Sequence, residues 1–340
     1  MGKFLMREQW VDYAKGIGII LVVIGHVNRG LDSSGIFLSN SFFKLFDSII
    51  YSFHMPLFFF LSGIFFIKSI EKKNKSYFIM KKIETIVYPY ALWSIIQGIV
   101  AVSLSKFTNS RTDIVSVFSF PYHPIAQFWF LYALFMIFMV SCLIYKKEYF
   151  TSYLPIITVL AFAIYIYSDS IGDFLHVDFI TKNIVFFFAG SLLSTVSITT
   201  VFGRKSFIML FSAFVVFFLI QYKFHFIDRM FYDEIGISTF SVAMVSIFFV
   251  FSLSLVLSHV GFEPLRKIGE YSMIIFLVHI LAGSGTRIIL SKGFGINNWY
   301  LHIVIGTIAG VVAPVIFYKI ANKLNLGLLF SYPIKKPAIK

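Results

Sequence analysis

Asp12, Lys15 and His26 are the side chains best suited to chemistry in the stretch Asp12-Tyr13-Ala14-Lys15-Gly16-Ile17-Gly18-Ile19-Ile20-Leu21-Val22-Val23-Ile24-Gly25-His26, which otherwise reads as one apolar helix. Lys15 and His26 are eleven positions apart. At about 100° per residue this is about three turns, so both lie on one face, about 16 Å apart along the axis. Asp12 precedes Lys15 by three residues, the spacing of a helical ion pair with the acid on the N-terminal side. A charge at the centre of a bilayer costs at least about 2.5–3.5 kcal/mol, so such a stripe is retained for use. An imidazole titrates near neutral pH and can take a proton as a general base. The plainer alternative is a histidine hydrogen-bonded inside a packed bundle.

Other polar residues fall inside apolar runs. His54 lies in Ser52-Phe53-His54-Met55-Pro56-Leu57-Phe58-Phe59-Phe60-Leu61-Ser62-Gly63. Pro56 is expected to bend its helix and free a carbonyl. Ser62 and Gly63 suit close packing better than chemistry. Trp129 opens an apolar run at an interface, where aromatic belts place Trp without any catalytic role. His279 sits in the middle of another run. Lys81 and Lys82, followed by Tyr88 and Pro89, stand at the entry to a helix. Their plain role is to orient the chain and meet anionic lipid; their alternative role is to grip a phosphorylated cofactor. No P-loop, HExxH, nucleophile elbow or dinucleotide fingerprint is present. The lone Cys142 allows neither a disulfide framework nor a cysteine metal site.

The elements that must hold these residues are membrane helices. Of 340 residues, 58% are hydrophobic and 13% charged, against about 25% charged in soluble domains. The net charge of +13 does not indicate nucleic acid, because the cations sit between apolar runs rather than on one contiguous face. Ten runs are long enough to span the hydrocarbon: 11–30, 47–67, 84–104, 127–145, 153–169, 180–198, 206–224, 237–258, 271–290 and 299–320. Lys3 and Arg7, Lys68 to Lys82, Lys146 and Lys147, Arg204 and Lys205, Arg266 and Lys267, and the tail from Lys323 to Lys340 all fall on one side of a ten-helix path. The opposite loops are acidic or mixed. The positive-inside rule therefore predicts an all-α bundle with N- and C-termini in the cytoplasm and a retained first helix. One domain over residues 1–340 is expected, with a basic cytoplasmic tail over about 322–340. The loop 105–126 is expected to fold over the outer face. Gly306-x-x-x-Gly310 marks close helix packing, with a dimer seam as the lesser reading. With the second helix running inward, His54 falls at a depth similar to that of His26, so the two histidines are expected to share one site.

These residues resemble acyltransferase family 3 of integral membrane proteins, in its fucose 4-O-acetylase-like branch. The resemblance rests on Asp12-x-x-Lys15-x10-His26; Phe53-His54-Met55-Pro56 through Ser62-Gly63; the basic entry ending Tyr88-Pro89-Tyr90; Trp129-Phe130-Leu131; and Gly269-x-x-Ser272 through His279. It implies a bundle of about ten helices that moves an acyl group, usually acetyl from acetyl-CoA, onto a glycan or lipid-linked saccharide acceptor. It implies His26 as the catalytic histidine and Lys15 on the acyl-CoA side. Many members carry Arg where Lys15 stands, so the bidentate fork is lost here. His26, Lys15 and His54 are thus the candidate catalytic residues. Asp12, Ser62, Lys81, Lys82, Trp129 and His279 are the candidate substrate- or cofactor-binding residues. No metal and no permanently bound cofactor is expected. The expected partners are acyl-CoA, the saccharide acceptor and membrane lipid, in a bacterial cytoplasmic membrane. Long relatives append an outer hydrolase-like domain; none is expected here, which leaves the acceptor undefined. A transporter or flippase for a polysaccharide precursor is the alternative. It is disfavoured because the polar residues cluster on helices one, two and nine, and no inverted repeat shows.

Overall fold

The computed structural model describes residues 9–36, 38–103, 114–196 and 206–332. Among these residues there is no strand, and nine helices are long and apolar enough to cross a membrane. They are Gln9–Asp32, Asn40–Glu71, Lys75–Ser103, Ala126–Ile144, Phe174–Leu193, Phe207–Ile227, Ile237–Val260, Ser272–Gly293 and Trp299–Lys323. A further apolar helix, Phe150–Ile166, has 17 residues. Together they correspond one to one with the ten runs read from the sequence. The chain is an all-helical, polytopic membrane protein. Lys3, Arg7, Arg204, Lys205, residues 105–113 of the loop 105–126, and the tail beyond residue 332 lie outside the described residues.

The chain divides into two units. The first comprises Met1–Leu61 and Val196–Val315. Its axis is helix α1 (Gln9–Asp32), which packs against α2 (Asn40–Tyr51) and against the helices Ile237–Val260, Glu263–Glu270 and Ser272–Ile288. Glycines let backbones meet along its N-terminal half. A Cβ on Gly269 would lie 1.7 Å from the Asp12 carbonyl oxygen, and one on Gly16 would lie 2.5 Å from that of Leu265. Helix Glu263–Glu270 is thereby bedded on α1. Its own Arg266 bridges Glu263 and, at 2.7 Å, Glu270. Further along α1, Gly310 faces Val23 and Gly306 faces Val27. The small-xxx-small pair therefore packs against α1 within the same chain.

The second span starts at Asn40, seven residues earlier than the sequence indicated. The Ser39 hydroxyl accepts from the Phe42 amide as its cap. Asp47, at the first position of the run read from the sequence, has its carboxylate buried against Arg29. The span breaks at residues 52–53, between α2 and α3 (His54–Ile64). Pro56 brings no N–H to the Ser52 carbonyl, so the helix cannot run through unbroken.

The second unit comprises Ser62–Thr195 and Ile316–Lys340. Its core is aromatic: Phe66 is fully buried among Phe78, Phe138, Tyr145, Phe150 and Phe187. Gly63 sits where a Cβ would lie 1.9 Å from the Phe187 carbonyl oxygen. The Ser191 hydroxyl donates to the Gly63 carbonyl at 3.0 Å. The Ser62-Gly63 pair thus stands at a close helix contact. The C-terminal segment is tied in by the Trp93 indole and Tyr88 hydroxyl, which donate to the carbonyls of Leu329 and Leu328 at 2.8 Å.

Candidate active site

The first unit gathers three histidines and a tyrosine near the C-terminal end of α1. His26 is half-buried there. His279, from the middle of Ser272–Ile288, places its ring 5.1 Å from that of His26. Tyr51, the last residue of α2, stands 6.3 Å from His26 and 4.4 Å from His54, which begins α3. The break in the second span thus delivers Tyr51 and His54 together. Gly25 makes room for this approach, since a Cβ there would sit 2.9 Å from the Tyr51 ring. Tyr51 thus stands between His26 and His54, the two histidines expected to share a site.

Hydrogen bonding fixes how two of these imidazoles face the cluster. His54 Nδ1 lies 2.8 Å from the Ile50 carbonyl, beside the helix break. His279 Nδ1 lies 3.0 and 2.8 Å from the carbonyls of Ile275 and Phe276. A carbonyl only accepts, so each Nδ1 carries its hydrogen and, in the neutral ring, each Nε2 presents a lone pair. Both Nε2 atoms and the Tyr51 hydroxyl are buried without a protein partner among the described residues. His26 makes no side-chain hydrogen bond among those residues either. An unsatisfied buried polar group costs about 1–3 kcal/mol. Three such atoms around one histidine mark a place built for a polar ligand.

Beside this cluster is a cavity of about 220 Å³, lined by His26, Arg29, His279, Ser284, Arg287 and His302 among others. That volume equals about seven waters at about 30 Å³ each. Gly283 and Gly306 keep its wall low. Arg29 lies one turn beyond His26. It grips Asp47 with two parallel hydrogen bonds of 2.8 and 2.7 Å and donates to the Tyr232 hydroxyl at 2.8 Å. Its guanidinium also covers the Tyr51 ring, 3.3 Å from the centroid. Arg287 donates to the Gly30 carbonyl.

Behind the cluster, the buried Ser48 hydroxyl lies 2.9 Å from His225 Nε2. His225 Nδ1 faces the Gln221 carbonyl at 3.0 Å, so the serine is the donor. The sequence alone had set no serine beside a base, and 177 positions separate these two. The pair has the form of a nucleophile and its base. However, Ser48 also accepts from the Tyr232 amide at 2.9 Å, is 1% exposed, and lies off the cavity wall. It is a tether between α2 and the segment carrying His225.

The remaining candidates are found as follows. Asp12, buried, and Lys15, half-buried, occupy the other end of α1, at the bed of Glu263–Glu270. The helix is continuous from Gln9 to Asp32, so the common stripe of Lys15 and His26 holds. Ser62, Lys81, Lys82 and Trp129 belong to the second unit. Lys81 is paired with Glu84 at 2.8 Å. Lys82 lies 3.7 Å from the centre of the Phe138 ring. Trp129 begins its helix as expected and packs 5.2 Å from Phe179. Tyr51, the Arg29–Asp47 pair and Arg287 were not found from the sequence. Two weak signals were available: Arg29 is three residues after His26, and Arg287 is eight after His279, both spacings that share a helical face.

Comparison with known proteins gives this geometry a family. Residues 8–319 match the acyltransferase domain of the acyltransferase 3 family. The nodulation protein NolL of Mesorhizobium japonicum is 29% identical over 139 residues, covering 39% of this chain and 35% of NolL. The chain thus spans about a third of the length of that curated relative. No solved structure matches significantly.

Proposed function

The chain belongs to the acyltransferase 3 family of membrane proteins, and from that premise we propose that it moves an acyl group, acetyl first, from acyl-CoA to a hydroxyl of a surface-polysaccharide or lipid-linked sugar. The observation that carries this reading is the partnerless polar cluster of Tyr51, His54 and His279 around His26, at the edge of a cavity. A sugar hydroxyl is a poor nucleophile until a base beside it accepts its proton. His26 takes that proton. The oxygen attacks the thioester carbonyl carbon, and the carbonyl electron pair moves onto its oxygen. Collapse re-forms the carbonyl and breaks the carbon–sulfur bond, and the leaving thiolate receives the proton from His26. The lone pairs on His54 Nε2 and His279 Nε2 accept hydroxyls of the sugar and orient it. Direct transfer is proposed because Ser48, the serine that donates to a histidine, does not line the cavity.

The cavity has room for a sugar ring or an acyl thioester tip. Lys15, on the His26 stripe with Asp12 beside it, serves the donor. The basic loops support a cytoplasmic N-terminus and a bacterial inner membrane as the location, with membrane lipid as the surrounding partner. No bound cofactor takes part in this scheme. The test is titration of acetyl-CoA with the purified protein in nanodiscs and membrane-extracted saccharides as acceptors. Acetylated saccharide from the wild type, and none from His26→Ala at equal abundance, is the expected result. Equal transfer by His26→Ala removes His26 from the reaction.

A further inference from the structure

Two arginines line the cavity, and their charges are handled differently. Arg29 is neutralised by its bidentate pair with Asp47. Arg287 is half-buried and has no carboxylate partner among the described residues; its hydrogen bond is to the neutral Gly30 carbonyl. A guanidinium has five N–H donors, so most of its donors remain available. A partly buried cation without a counter-charge is costly unless a ligand supplies negative charge.

The tether to Gly30 says where that charge would be. Gly30 lies four residues after His26 on α1, on the same face and about 6 Å further along the axis. The guanidinium is thus held about one helical turn from the imidazole, with open space beside Gly30, where a Cβ would meet nothing within 4 Å. An acyl carbon under attack fits between the two, with the acceptor oxygen towards His26 and the carbonyl oxygen towards Arg287. We propose that Arg287 is a catalytic residue that holds the negative charge gained by the acyl carbonyl oxygen as the acceptor hydroxyl adds to the thioester. This rests on the acyl-transfer reading above. In the attack the carbonyl π electrons move to oxygen, which gains a full negative charge next to the guanidinium. When the carbon–sulfur bond breaks, that charge passes to the leaving sulfur, which takes the proton from His26. A permanent anion on the acceptor would also satisfy Arg287. The tether one turn from the base favours the reacting oxygen.

The test separates these roles by steady-state kinetics on purified protein in nanodiscs. Arg287→Gln keeps an amide that can donate to Gly30 but loses the charge. Its kcat is expected to fall about 10²–10³-fold, the usual loss for one such donor, with KM values for acetyl-CoA and acceptor within a few fold. Arg287→Lys should retain more kcat than Arg287→Gln. Guanidinium chloride at millimolar concentration should restore part of the turnover of Arg287→Ala and none of that of His26→Ala. A raised acceptor KM with unchanged kcat would reassign Arg287 to binding an anionic acceptor and overturn the proposal. So would unchanged turnover in Arg287→Gln, or a loss of turnover fully accounted for by loss of folded protein in all three variants. Absence of transfer by the wild type would instead sink the acyl-transfer reading itself.

Discussion

Proton transfer at His26 should be separable from the stability of the fold. General-base catalysis contributes about 10²–10⁴-fold, so His26→Ala should lose turnover on that scale. Its abundance in the membrane should stay close to wild type, because the imidazole makes no hydrogen bond among the described residues. Tyr51→Phe is the sharper probe. It removes a buried hydroxyl that has no protein partner among those residues, so thermal stability should hold or rise while turnover falls. A lower melting temperature with normal turnover would make Tyr51 a structural residue. At the far end of α1, Lys15→Ala should be nearly inactive and Lys15→Arg should keep much of the activity, read as turnover against acetyl-CoA concentration. Equal and mild damage from Lys15→Ala and Asp12→Ala would instead make that pair a topological device. His26 was legible because a histidine and a lysine eleven positions apart stand out in an apolar helix. Tyr51 was not, because it is one of 18 tyrosines in a chain with 44 phenylalanines. Arg287 was hidden for another reason: its partner Gly30 is 257 positions away, and a backbone carbonyl has no sequence signature.

Helix α1 works as an element because other backbones touch it. Gly269→Ala would push a methyl into the Asp12 carbonyl. Overpacking of this kind costs about 1–3 kcal/mol, so the variant should show a lower melting temperature in detergent and reduced abundance. Gly30→Ala, with open space around it, should not. Span positions were legible from hydropathy, since a run of about 20 apolar residues matches the thickness of the hydrocarbon it must cross. Their ends were less so. The second span begins seven residues before its apolar run, and the ion pair of Arg29 with Asp47, 18 positions long, is invisible to a sliding window. The bend at Pro56 was legible, but not its consequence. The break turns Tyr51 and His54 towards one point, and only the packing of α2 on α1 makes that point the neighbourhood of His26.

For the molecule as a whole, the direction of threading is the first question, and reporter fusions answer it. Fusions at Lys73, Lys147 and Lys267 should report the cytoplasm, and a fusion at Asp233 the outer side. Lys147 and Lys267 agree only if Phe150–Ile166 crosses the membrane together with the three longer helices that follow it. That helix, at 17 residues, is about 25 Å long, against about 30 Å of hydrocarbon. Tyr149 and Tyr167 stand exposed at its two ends, and Ile156, Val159 and Leu160 are exposed between them. Aromatic rings at both ends anchor a helix to the two interfaces. The lipid must then come to the helix. Leaflets beside it are expected to thin, at a fraction of a kcal/mol per Å. Acyl-chain length is then expected to be a variable of its activity. Reconstituted in short-chain phosphatidylcholine it should turn over faster and resist heating better than in long-chain lipid of the same headgroup, and in a membrane of uneven thickness it should gather where the bilayer is thin.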